Sequence, residues 1–139
     1  MSRRTLTCAI LALGLVAPGL GLAQSNEGQR LALELNRVDP VDGACRLTFL
    51  AENALGEEIA ALSLETVLID TSGVVERLTL FDFGALPMDV PRVRQFDVPG
   101  LACEALGRVL INGVSECGGV GNCAERLQLS TRTDVELLG

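Results

Sequence analysis

Several residue types that carry most protein chemistry are missing from this 139-residue chain. It has no histidine, lysine, tryptophan or tyrosine, and its only aromatic residues are four phenylalanines. Without histidine, Ser-His-Asp and Cys-His mechanisms and His-ligated metal sites are excluded. Without lysine, Schiff-base chemistry and a P-loop are excluded as well. The sequence therefore predicts no catalytic residue, no cofactor and no metal.

Positive charge is also scarce. All 11 basic residues are arginine, 18 residues are Asp or Glu, and the net charge is −7. A chain with this balance is repelled by nucleic acid and by anionic membrane surfaces. We therefore expect no nucleic-acid partner.

The N-terminus has the organisation of an export signal. Arg3 and Arg4 precede an uncharged apolar run, Leu6–Val16, which is too short for a membrane-spanning helix. Gly21-Leu22-Ala23 offers small residues where a signal peptidase cleaves. We predict a signal peptide over residues 1–23, read by the general secretory or the twin-arginine route. Residues 24–139 then form one periplasmic domain with no stable membrane insertion.

Four cysteines remain after this cleavage, since Cys8 leaves with the signal peptide. An even number in an exported domain predicts two disulfides, with three possible pairings. Cys117 and Cys123 flank a short glycine-rich loop and can meet easily, which leaves Cys45 to pair with Cys103. A zinc site or a thioredoxin-like redox pair would need a Cys-x-x-Cys motif, and the chain has none.

The rest of the chain alternates like β-strands separated by turn residues. Seven strands are predicted, with helical turns possible at 53–64 and 101–106. They cover Arg30–Leu35, Cys45–Ala51, Leu62–Ile69, Val74–Phe83, Arg92–Val98, Arg108–Asn112 and Glu125–Thr131. This number and spacing predict an all-β fold, an antiparallel two-sheet immunoglobulin-like sandwich stapled by disulfides.

The alternation also predicts which side chains form the core. Leu31, Leu33 and Leu35 share one face of the first strand, and Phe81 and Phe83 share one face of the fourth. The strand Arg108–Asn112 reads as fully buried. The remaining inward residues are expected to be Cys45, Leu47, Phe49, Ala51, Val75 and, with a bulge between them, Leu78 and Leu80.

Part of the chain resembles a known family. Cys45-x-Leu47-x-Phe49, Asn53-x-x-Gly56 and Leu68-Ile69-Asp70-x-x-Gly73-x-Val75 resemble the front half of FxLYD-type immunoglobulin-like domains of exported bacterial proteins. Thr66 and Ile69 stand where that family has Phe and Tyr. The resemblance implies the fold and a binding or structural role, and it carries over no catalytic residue.

A candidate binding site lies in the fifth strand. Pro91 and Pro99 bracket it, which favours the edge of a sheet. Alternation then places Arg92, Arg94 and Phe96 on one side, where arginine and an aromatic ring could anchor a partner. The alternative is that Phe96 lies in the core and the arginines pair with acids such as Asp97 or Asp89.

Two classes of function stay open at this point. The first is a non-catalytic exported interaction or structural module that docks onto another envelope protein. The second is a small periplasmic enzyme, or enzyme subunit, that uses carboxylates or a redox-labile disulfide. A pocket whose acids have raised pKa values would favour the enzyme, and a flat apolar patch would favour docking.

Overall fold

The computed structural model describes residues 28–139, together with Gly19 and Gly21. The predicted signal peptide lies outside the described residues except for these two glycines, and so does Cys8. In the described part of the chain, no helix is long and apolar enough to cross a membrane.

Eight strands and two 3-10 turns follow one another along residues 30–138. The 3-10 turns are Cys103–Ala105 and Ala124–Arg126. The strands are β1 (Arg30–Val41), β2 (Ala44–Ala54), β3 (Ile59–Asp70), β4 (Val75–Leu86), β5 (Arg92–Pro99), β6 (Leu106–Cys117), β7 (Leu127–Thr131) and β8 (Glu136–Leu138).

The strands form two four-stranded sheets. Sheet I has the order β5-β2-β1-β7, and sheet II has the order β4-β3-β6-β8. The predicted all-β, two-sheet sandwich is confirmed, with no α-helix in residues 28–139. Each sheet has its own pair of edge strands, which are β5 and β7 in sheet I and β4 and β8 in sheet II.

Two details of the topology were not predicted. β8 was not predicted, since three residues are too few to show an alternating pattern. In addition, β7 pairs with β1 and β8 pairs with β6 in parallel, whereas the other four pairings among the described strands are antiparallel. Direction of pairing depends on how distant strands meet, and alternation does not encode it.

The core lies between the inner faces of the sheets, as the alternation predicts. Leu31, Leu33 and Leu35 are at most 1% exposed, and so are the inward residues of β2. The four phenylalanines form one cluster in which the ring of Phe49 meets Phe81, Phe83 and Phe96 edge to face. Such aromatic pairs add to the stability that burial alone provides.

The disulfide pairing predicted from the sequence is confirmed. Cys45 bonds to Cys103, and Cys117 bonds to Cys123. The first bridge ties β2 to the 3-10 turn through which the chain leaves sheet I for sheet II. Two disulfides in a small domain indicate folding in an oxidising, exported environment.

Pro40 lies within a strand, although proline cannot donate to a ladder. β1 runs on to Val41, and Pro40 pairs with Cys45. On its other side β1 meets β7 only over Leu31–Leu35. Proline's missing N–H therefore leaves no ladder bond unmade.

Candidate interaction surface

β5 occupies the edge of sheet I, as its flanking prolines predict, but Arg94 has an internal role. Its Nε donates to the carbonyl oxygen of Phe83 at 2.6 Å, and its Nη2 donates to that of Ala85 at 3.0 Å. Both acceptors belong to β4, the edge of sheet II. The Arg94 side chain therefore bridges the edges of the two sheets.

Phe96 points the same way as Arg94, towards the core. Its ring stacks on Phe81 with 4.3 Å between centroids and lies 5.0 Å from Phe83. It is partly buried and packs against the core cluster. The core alternative for this residue matches the observed contacts.

The expected acidic partners of the β5 arginines are not the observed ones. Asp97 pairs with Arg46, whose Nε and Nη2 donate to its two carboxylate oxygens at 2.7 and 2.9 Å. Arg92 donates only to the neighbouring carbonyl of Pro91 among the described contacts. The two arginines therefore differ, since Arg94 reaches across to β4 whereas Arg92 bonds only to its neighbour in the chain.

The outer face of sheet I, turned away from sheet II, carries polar rows, with Val93 as an exposed apolar residue on β5. Asp39, Arg46 and Asp97 are cross-strand neighbours and form one charged row. In the next row the Gln95 amide donates to the Thr48 hydroxyl at 3.1 Å. Ion pairs and hydrogen bonds of this kind suit a face that stays in water.

The outer face of sheet II is different, because an apolar row crosses all four strands. Leu78 of β4 pairs with Val67 of β3, Val67 pairs with Leu110 of β6, and Leu110 pairs with Leu138 of β8. Directly opposed side chains in a sheet lie about 5 Å apart. We call these four residues the apolar row.

Solvent exposure identifies the row as a surface feature. Leu78 is 60% exposed and Leu138 40% exposed. Val67 is covered, yet it does not belong to the core cluster, so its neighbours in the row cover it. Val75 and Leu80 of β4 flank the row and are 61% and 55% exposed.

The prediction that Val75, Leu78 and Leu80 face inward is therefore wrong. A bulge does lie between Val75 and Leu78, opposite Leu68/Ile69, so Val75, Leu78 and Leu80 share one face as expected, but that face is the outer one. The inner positions of β3 are taken by Leu64, Thr66 and Leu68, all fully buried. The β4 residues opposite the other face of β3 consequently point to solvent. The list of such outward pairs is Leu80–Glu65, Leu78–Val67 and Val75–Ile69.

The free edge of β4 divides into two halves. In the C-terminal half, the Asp82 carboxylate accepts from the N–H of Gly84, and Arg94 covers the carbonyls of Phe83 and Ala85. In the N-terminal half, Val75–Leu80, no side chain of the described residues bonds to the backbone. We call this half the open edge.

The hairpin that presents the open edge is rigidly built. The Asp70 carboxylate accepts hydrogen bonds from the hydroxyl and N–H of Ser72 and from the N–H of Val74. The bond from the Ser72 hydroxyl lowers the pKa of Asp70 most, and the N–H of Val74 lowers it further. Gly73 completes the turn with a φ of 89°, which an L side chain rarely adopts.

A cleft of about 630 Å³ lies beside this hairpin, with Thr71 and residues 36–38 of β1 in its wall. Its wall includes Arg37, Arg132, Glu104, Asp134 and the bridged Cys103. Both arginines already form ion pairs, with Asp39 at 3.0 Å and Glu34 at 2.9 Å. The cleft wall therefore carries both signs of charge, and its two arginines are already paired.

The shifted carboxyl pKa values all move in one direction. Within residues 28–139, the pKa values of three carboxyls are shifted, those of Glu34, Asp70 and Asp97, and all three are lowered. For Glu34 the main cause is a hydrogen bond from Asn36, and for Asp97 a hydrogen bond from Arg46. Within residues 28–139 no group of three or more His, Cys, Asp or Glu could hold a metal ion.

The apolar row was missed at the sequence level, although two strands carry its signal. Val67-Leu68-Ile69 and Val109-Leu110-Ile111 are consecutive apolar residues, so both faces of each strand are apolar. The second run is predicted to be fully buried. Instead Val109 and Ile111 are buried while Leu110 lies half-buried on the outer face.

Comparison with known families, curated proteins and solved structures finds no match to this chain. The fold therefore defines the class of protein, which is an all-β two-sheet sandwich that contains two disulfides. The resemblance to FxLYD-type domains stays a prediction.

Proposed function

We propose that the protein is a non-catalytic periplasmic module that docks onto another protein of the cell envelope. The outer face of sheet II is the docking surface in this proposal. The single observation that carries it is the apolar row, with the exposed Val75 and Leu80 beside it.

The energetic argument concerns exposed leucines. Removing apolar surface from water is favourable by about 25 cal/mol per Å². Scattered single exposures are ordinary, but contiguous apolar patches mark interaction sites. Leu78, Leu80 and Leu138 are each at least 40% exposed on one face, whereas the outer face of sheet I carries charged rows.

The carboxyl groups support a non-catalytic reading. A general acid working near neutral pH needs a raised pKa, which burial or a neighbouring acid provides. The observed shifts run the other way, because hydrogen bonds and an arginine stabilise the charged carboxylates. The missing histidine removes the usual general base.

The periplasm is proposed on two grounds. The disulfides Cys45–Cys103 and Cys117–Cys123 need an oxidising compartment, and the predicted signal peptide over 1–23 directs export. The partner is then another protein of the same envelope.

The site predicted from the sequence, Arg92, Arg94 and Phe96 of β5, is the second candidate for the docking surface. Arg92 is available for a partner, but Arg94 and Phe96 already have contacts inside the molecule. The apolar row has no such internal partner above it among the described residues. For this reason the outer face of sheet II comes first.

The test is a matched pair of substitutions, Leu80→Asp and Val93→Asp. Both residues lie on the outer face of an edge strand and are exposed to the same extent, 55% and 57%. We expect Leu80→Asp to lower recovery of a cross-linked envelope partner at least about tenfold, since losing a buried leucine contact costs more than 1.4 kcal/mol. Val93→Asp should change recovery by less than about twofold.

Folding is checked in both variants by their thermal midpoints, which surface changes should leave nearly unaltered. Equal loss of the partner in both variants would contradict the assignment to sheet II. Loss only in Arg92→Ser would transfer the docking site to β5.

A further inference from the structure

The open edge of β4 is a second unpartnered feature, distinct from the face beside it. β4 ends sheet II, so the backbone of Val75–Leu80 has no neighbouring strand on its outer side. The C-terminal half of the same edge is covered by Asp82 and Arg94. Exposed strand edges are templates for pairing with another strand unless they are protected.

A bulge gives this edge an unusual pattern. Val75 pairs with Ile69 and Leu78 pairs with Val67, with one additional β4 residue between the two pairs. Because Val67 and Ile69 lie two residues apart on a strand, they share one face. Val75 and Leu78 therefore both face outward although they are three residues apart.

This spacing makes the edge complementary to itself. An antiparallel pairing with the two-fold axis between Glu76 and Arg77 sets Val75 of each copy opposite Leu78 of the other. In the same register Glu76 of each copy stands opposite Arg77 of the other. A register centred on either charged residue would instead set like charges opposite each other, which is unfavourable.

Neither charged residue is otherwise engaged. Both are exposed, and neither takes part in an ion pair within residues 28–139. Opposite charges at adjacent positions of an edge fit a second copy of the same edge. A two-fold contact of this type uses the same patch twice and closes on itself.

We propose that the open edge of β4 pairs antiparallel with the open edge of a second copy in a two-fold dimer. The two sheets II then form one eight-stranded sheet, and the two apolar rows lie side by side on one continuous face. Val75 and Leu78 serve both proposals, but pairing is tested at Glu76 and Arg77 of the edge and docking at Leu138 on β8, so each proposal can fail without the other.

The experiment is a charge swap followed by sedimentation velocity over a concentration series of the disulfide-bonded protein. Wild type should form a dimer. Glu76→Arg and Arg77→Glu should each raise the dimer dissociation constant at least about tenfold, since each substitution creates two symmetry-related like-charge contacts. The double swap restores opposite charges and should return the constant to within about threefold of wild type.

Leu138→Asp serves as the control, because Leu138 lies on β8 at the far end of the apolar row. It should dimerise like wild type while losing the docking partner. A wild-type protein that stays monomeric up to about 1 mM would overturn the dimer. Unchanged association in the single swaps, or no recovery in the double swap, would overturn the register.

Discussion

The outer faces of the two sheets differ, although both sheets contribute to one core. Sheet I presents a charged row of Asp39, Arg46 and Asp97, in which Arg46 donates two hydrogen bonds to the Asp97 carboxylate. Sheet II presents Leu78, Val67, Leu110 and Leu138 in the same kind of cross-strand row. Each sheet has four strands, so the difference lies in the side chains of the outer faces. We propose that it reflects what each face contacts.

The neighbouring edges of the two sheets, β5 and β4, also differ. At β5 the Arg94 side chain crosses to β4 and uses two backbone carbonyls. At the other end of β4 the edge is uncovered and its leucines are exposed. One half of this boundary is closed by the molecule itself, and the other half is the open edge.

Removing the Cys45–Cys103 bridge, which ties β2 to the connection into sheet II, should cause the largest loss of stability. Replacing Cys45 and Cys103 by serine removes the bridge that closes 58 positions of chain and should cost about 2–5 kcal/mol. Replacing Cys117 and Cys123 opens a loop of only six positions and should cost about 2 kcal/mol. Urea denaturation measures both, and equal losses would show that loop length does not set the contribution.

The second largest effect should be a difference in stability between variants of the two β5 arginines. Arg94→Ser removes two charged hydrogen bonds to β4 and should destabilise by about 1–3 kcal/mol. Arg92→Ser removes one local contact and should stay within about 0.5 kcal/mol. Thermal unfolding of the two single variants is the measurement. If both are neutral, Arg94 does not close the boundary between the sheets.

Acid should weaken the charged face selectively, and this is the smallest effect. Arg46 holds the pKa of Asp97 below its ordinary value of 3.8. A carboxyl with a lowered pKa contributes stability above its unfolded pKa, and that contribution is lost as the pH falls through the folded pKa. Asp97→Asn should therefore reduce the difference in urea midpoint between pH 7 and pH 3. An unchanged difference would show that Asp97 does not contribute to the loss of stability in acid.

Much of the fold was predictable from local pattern. Alternation in β1 and β2 identified the buried leucines and Phe49, and loop closure between Cys117 and Cys123 identified both disulfides. These features depend on residues close in sequence or on a simple count of cysteines. Local rules therefore suffice for them.

The candidate surface was not predictable in the same way. In Val67-Leu68-Ile69 both faces of the strand are apolar, so alternation cannot tell which one meets the core. Only the packing of Leu64 and Leu68 against sheet I decides it, and that packing is long-range. Arg94 was similarly ambiguous, because its acceptors are backbone carbonyls that a sequence does not distinguish.

In the docking proposal the outer face of sheet II, and not that of sheet I, contacts an envelope partner. This is tested most directly by placing a photo-cross-linking residue at Leu138 or at Val93 and identifying the adducts formed in living cells. We expect one shared envelope protein cross-linked from Leu138, with little or no adduct from Val93. The same adduct in equal yield from Val93, or none from Leu138, would contradict it.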